Sequence, residues 1–174
     1  MTDSRLRKLC RAAVVGALYA AVTLLAAPIS FGAIQCRVSE ALCILPWLFP
    51  ETAQGLFCGC ILANLIGGYG PLDVVFGSLT TLAAGLLTAR IPRRVPAALP
   101  PVILNGLIVG AVIARSTAKD AFFAAFPIIG LEVAAGEAVA LFALGLPLSL
   151  LLERIPYFQK RMRKNDALPG GKNR

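Results

Sequence analysis

Ala124-Ala125-Phe126-Pro127-Ile128-Ile129-Gly130-Leu131-Glu132-Val133-Ala134-Ala135-Gly136-Glu137-Ala138-Val139-Ala140 is apolar enough for the interior of a lipid bilayer, yet it carries two carboxylates. An ionisable group at bilayer depth costs roughly 3 kcal/mol or more unless it faces protein or water. Glu40 and Asp73 sit inside or at the edge of other apolar runs. Four such groups on one small chain point to a polar cavity that holds a polar small molecule within a helix bundle.

The remainder of the chain has the same character. It is 57% hydrophobic and 15% charged, with a mean hydropathy of +0.76. Soluble domains carry about 25% charged residues. A soluble globule of this composition would have no hydrophilic surface to show, so the expectation is an all-α integral membrane protein. A bilayer core needs about 20 apolar residues per helix. The runs give six spans, roughly 9–30, 39–50, 52–67, 71–90, 99–116 and 124–153, the second short and bent or tilted. It closes at Pro46-Trp47-Leu48-Phe49-Pro50, where proline removes a backbone donor. Gly67-Gly68-Tyr69-Gly70-Pro71 reads as the turn between the third and fourth spans. Residues 1–156 form the membrane domain, and 157–174 a basic cytoplasmic tail of flexible composition.

A net charge of +8 raises the question of a nucleic-acid partner. The distribution argues against one, because the basic residues gather at the termini and around Arg90, Arg93 and Arg94. With six spans, fourteen Lys and Arg fall on one side and only Arg37, Arg115 and Lys119 on the other. Positive residues favour the cytoplasm, so both termini are expected inside, close to anionic lipid. The chain has no histidine and no CxxC pair among its five cysteines, so neither metal nor cofactor is expected. Cys43 and Cys60 read as small hydrophobes. Without a GxxxxGK[ST], GxSxG or HExxH motif, binding or transport is favoured over catalysis.

Depth along the spans sorts the polar residues. Gln35, Arg37 and Glu40 flank the outer start of the second span, Asn64 the outer end of the third, and Asp73 the outer start of the fourth. Glu132 lies ~12 Å below the outer end of the sixth span at 1.5 Å per residue. Glu137 is deeper, and the two project ~140° apart, so one can face a ligand while the other pairs elsewhere. Asn105 falls in the fifth span, as an interhelical hydrogen-bonding residue or a ligand contact. Each position also has a plain explanation. Arg37 with Glu40 would make an i, i+3 ion pair at the membrane surface, and Asp73 would stabilise a helix start. Small residues form two rows on the first span, Ala12, Gly16, Ala20 and Ala13, Ala17, Ala21. Such rows let helices approach closely, either inside the bundle or against another membrane subunit.

The run Ala27-Pro28-Ile29-Ser30-Phe31-Gly32-Ala33-Ile34-Gln35-Cys36-Arg37-Val38-Ser39-Glu40-Ala41-Leu42 resembles the QueT family. So do Ala63-Asn64-Leu65-Ile66-Gly67-Gly68, Leu72-Asp73-Val74-Val75-Phe76-Gly77-Ser78, and Asn105-Gly106. The resemblance covers about residues 10–155 and implies a bundle of the energy-coupling factor (ECF) S-component type in a bacterial cytoplasmic membrane. Such a subunit binds a queuosine precursor in an outward-facing pocket. It works with a transmembrane coupling subunit and two cytoplasmic ATPases, which fits the missing phosphate loop. A self-sufficient secondary transporter and an S component for another vitamin-like substrate are the alternatives. A deazaguanine base offers an N–H and an exocyclic amine to a carboxylate, and a carbonyl to Arg, Gln or Asn; an aminomethyl form adds a cation.

Overall fold

Helix α1 runs over Asp3–Leu25 and lies along α3, Thr52–Gly67. Glycine on both helices makes the approach possible. A Cβ added at Gly16 would strike the Gly55 backbone, one at Gly55 the Ala12 backbone, and one at Gly59 the Gly16 backbone. Between these two in sequence comes α2, Val38–Leu48, a 3₁₀ helix over Val38–Ile44 that relaxes into one α-helical turn at Leu45–Leu48. Helices α4 (Asp73–Thr88), α5 (Arg94–Thr117) and α6 (Phe122–Arg154) complete the molecule. The structure, a computed structural model, describes residues 3–26, 37–68 and 70–156, and among them it contains no strand.

Three of these helices are long and apolar enough to cross a bilayer: Ser4–Leu25 of α1, then α5 and α6. The other three are shorter apolar helices. At its mixed rise α2 reaches about 20 Å, short of the ~30 Å hydrocarbon core, as the brief second run of the sequence anticipates. Large apolar side chains such as Val14, Leu25, Phe123 and Leu131 stay exposed around the outside. A surface of this kind suits lipid, so the all-helical fold fits a membrane bundle.

A second glycine contact joins α5 to α6. A Cβ on Gly106 would come within 2.9 Å of the Ala134 Cβ, and one on Gly110 within 2.7 Å of the Gly130 Cα. The bundle therefore has two closely packed pairs, α1 with α3 and α5 with α6, and α2 inserts between them. Its side chains Leu42, Ile44, Trp47 and Leu48 share one core with Tyr19, Leu56 and Leu141.

Cation–carboxylate pairs staple the basic end. Arg11 meets Glu51 at 2.5 Å and lies 4.5 Å over the Phe49 ring. Arg94 pairs with Glu153 and covers Trp47 at 5.1 Å. Trp47 and Phe49 are buried beneath these cations and belong to the core.

The small-residue rows divide. Ala12, Gly16 and Ala20 are buried, which corrects the reading of that row as a docking surface: the bundle itself uses it. Ala13, Ala17 and Ala21 remain exposed on the neighbouring strip of α1, about 100° around the helix.

Candidate functional site

The start of α2 carries the site. A 3₁₀ helix has three residues per turn, so positions i, i+3 and i+6 stand in one row. Arg37, immediately before the helix, Glu40 and Cys43 occupy that row and are all buried. Cys43 Sγ donates to Glu40 Oε2 at 2.9 Å. From α1, the hydroxyl of the fully buried Tyr19 donates to Glu40 Oε1. One turn further on, Thr23 Oγ1 donates to Ser39 Oγ at 2.7 Å. Glu40, 1% exposed, thus has a donor on each oxygen.

Helices α5 and α6 supply the facing wall. Asn105 opens a wide π-type turn, Asn105–Val109, and its Nδ2 donates to Glu137 Oε1 at 2.9 Å. Arg37, Glu40, Asn105, Val109, Val133 and Glu137 enclose a cavity of about 10 Å³. That is room for about one water molecule.

The third wall lies between α3 and α4. Asp73 also opens a π-type turn, Asp73–Gly77, and Asn64 Nδ2 donates to the Asp73 carbonyl at 3.0 Å. Gly77 has no side chain to separate them: a Cβ there would sit 3.3 Å from Asn64 Nδ2 and 3.6 Å from Asp73 Oδ1. Asn64 Oδ1 and Asp73 Oδ1 are both buried and accept no hydrogen bond from the described residues. Two such orphaned acceptors are costly unless something supplies donors. Arg37 ties the walls together electrostatically, since Glu40, Asp73, Tyr19 and Cys60 all lie in its field. Outside Asn64 a groove of about 410 Å³ opens along Leu65, Gly68, Gly70, Pro71, Val74 and Val75.

Of the residues expected from sequence, Arg37, Glu40, Asn64, Asp73, Asn105 and Glu137 come together. Glu132 does not: it is exposed on α6, on a face apart from Glu137. Gln35 lies outside the described residues, as do Phe31 and Tyr69. Sequence reading missed Tyr19, Cys43 and Cys60. Both cysteines do polar work, Cys60 Sγ accepting from Asn64 at 3.5 Å and from Thr81 at 3.6 Å. Tyr19 lies on the helical row of Ala12 and Gly16, and with Thr23 it puts hydroxyls on that small-residue face, a signal that could have revealed it.

Residues 9–154 match a family model described as QueT transporter. Comparisons with curated proteins and with solved structures returned no match.

Proposed function

The chain belongs to the QueT transporter family, and from that membership we propose that it is the substrate-binding membrane subunit of an ATP-driven ECF importer for a queuosine precursor. The observation that carries this reading is the convergence of Arg37, Glu40, Asn64, Asp73, Asn105 and Glu137 from five parts of the chain. Their chemistry matches a deazaguanine. The unpaired oxygens of Asn64 and Asp73 accept from the N–H and exocyclic amine of the base, Arg37 donates to its carbonyl, and Glu40 with Glu137 receives an aminomethyl cation. Gln35 belongs to the same reading as a contact from the segment before Arg37.

A base is far larger than a cavity of about 10 Å³, so the two glycine-packed pairs separate around α2 when ligand enters. On this reading the chain crosses the membrane six times, with the basic end and both termini in the bacterial cytoplasm and the site toward the outside, as the charge distribution favours. The exposed row Ala13, Ala17, Ala21 docks onto the transmembrane coupling subunit, which connects to two ATPases.

Binding of the purified chain to deazaguanine bases and unrelated vitamins, read by calorimetry, tests the substrate. Tight binding of a deazaguanine is the expected result; binding of a vitamin alone refutes it. Co-purification with a coupling subunit and paired ATPases tests the assembly, and uptake driven by an ion gradient without ATP would replace it with secondary transport.

A further inference from the structure

The two polar regions of the site differ in access. The cavity beside Glu40 holds about 10 Å³, whereas the groove between α3 and α4 offers about 410 Å³. The latter lies within the ~300–1,000 Å³ of ordinary small-molecule pockets. Asn64, 1% exposed, is the polar side chain of that groove, and Leu65, Pro71, Val74 and Val75 are its apolar walls. At the outer lip, a Cβ on Gly68 or Gly70 would meet nothing within 4 Å, so the mouth is open.

The amide of Asn64 can point only one way. Its Nδ2 donates to the Asp73 carbonyl at 3.0 Å and to Cys60 Sγ at 3.5 Å, which uses both of its hydrogens. Turned over, the amide would set Oδ1 against that carbonyl, acceptor facing acceptor. Oδ1 is therefore held as an acceptor, and it receives no donor from the described residues. Asp73 Oδ1 is orphaned likewise, and a Cβ on Gly77 would touch both side chains, so the two groups flank one point. A buried acceptor without a donor is costly, and a ligand N–H at each removes the cost.

We propose that the α3–α4 groove is a capture site, which takes the donor edge of the substrate before the cavity beside Glu40 opens. The ligand it fits is a planar heterocycle with a ring N–H next to an exocyclic amine. Both orphaned oxygens lie beneath the groove surface, and the π-type turn Asp73–Gly77 carries Asp73 together with the wall residues Val74 and Val75. A local shift of that turn therefore brings edge and acceptors together, while the two glycine-packed helix pairs stay closed. Only the second stage, at Arg37, Glu40 and Glu137, needs α2 displaced. This inference rests on the transport reading above and adds an order of events to it.

The test is stopped-flow fluorescence of the full chain in lipid nanodiscs, reporting on Trp47, the single tryptophan, buried in α2. With an aminomethyl deazaguanine in excess, the observed rate should rise with concentration to a plateau, because capture precedes the movement of α2. A rate that falls with concentration, or climbs without levelling, overturns that order. The initial slope should be at least tenfold larger than for the congener lacking the exocyclic amine. Asn64→Leu should erase this preference, which a merely structural role of Asn64 would leave intact. Val75→Phe fills the groove from a half-exposed position and should lower the slope at least tenfold. Unchanged slopes and preference in the two variants overturn the site.

A second measurement works without ligand. Val75→Cys, in a background of Cys10→Ser, Cys36→Ser and Cys58→Ser, should react with a permanently charged methanethiosulfonate, which needs water to arrive. No reaction places the groove against lipid and overturns the capture site. If no deazaguanine binds, the queuosine-precursor reading fails, and isocytosine, the bare two-donor ring, judges the groove by saturation-transfer NMR. A contact that disappears in Val75→Phe upholds capture for a ligand of another kind, and no contact in the wild type overturns it.

Discussion

Tyr19 and Glu40, twenty-one residues apart, are joined by a buried hydrogen bond from phenol to carboxylate. That bond fixes α2 against α1 at the height where Arg37 and Glu137 meet. Tyr19→Phe keeps the ring and removes only the donor. It should cost about 1–2 kcal/mol, at the upper end for hydrogen bonds inside membranes. Thermal unfolding in detergent measures it, and a variant as stable as the wild type would show that the bond does not hold α2.

Gly55→Ala tests the α1–α3 contact. Its Cβ would run into the Ala12 backbone, and backbone cannot rotate aside as a side chain can. Overpacking of this kind costs typically about 1–3 kcal/mol. The melting temperature should fall, and the same change at Gly68, where a Cβ would meet open space, should act through backbone strain alone because its φ is +72°. Equal melting temperatures for Gly55→Ala and the wild type would refute the packing account.

On the neighbouring strip of α1, Ala17→Leu changes an exposed position. The purified chain should keep its melting temperature and its ligand affinity, yet co-purify poorly with the coupling subunit and lose uptake. Normal assembly would remove the exposed alanine row from the proposed interface.

Glu137→Gln and Glu132→Gln separate the two acids of α6. Glu137 is 4% exposed and hydrogen-bonded to Asn105, whereas Glu132 is exposed. The first change should weaken amine binding more than tenfold, at least ~1.4 kcal/mol; the second should leave it within about threefold. The reverse order in calorimetry would mean that α6 presents its other face to the ligand.

These two acids also show what could be read from sequence. Both sit in apolar surroundings, so sequence marks both as candidates, and the face each presents depends on packing against α2 and α5. Helix positions followed from apolar runs and proline or glycine breaks, which act locally. The winding of α2 did not. An i, i+3 spacing of Arg37 and Glu40 reads as a surface ion pair on an α-helix, and only 3₁₀ winding aligns Arg37, Glu40 and Cys43 in one buried row. Cys43 and Cys60 read as hydrophobes because a thiol shows its polarity only when a partner is placed beside it. The row Ala12, Gly16, Ala20 carried two readings, and partner glycines on α3 decided for internal packing.

Beyond Glu40, every residue of α2 and its exit from Ala41 to Phe49 is buried, and two arginine–glutamate pairs close over Trp47 and Phe49. Among the described residues, a solute resting against Glu40 therefore meets a stopper of buried side chains on that side. In the importer proposed above, cargo passes only when that stopper is displaced or the bundle is reoriented, so release of substrate and rearrangement of α2 become one event.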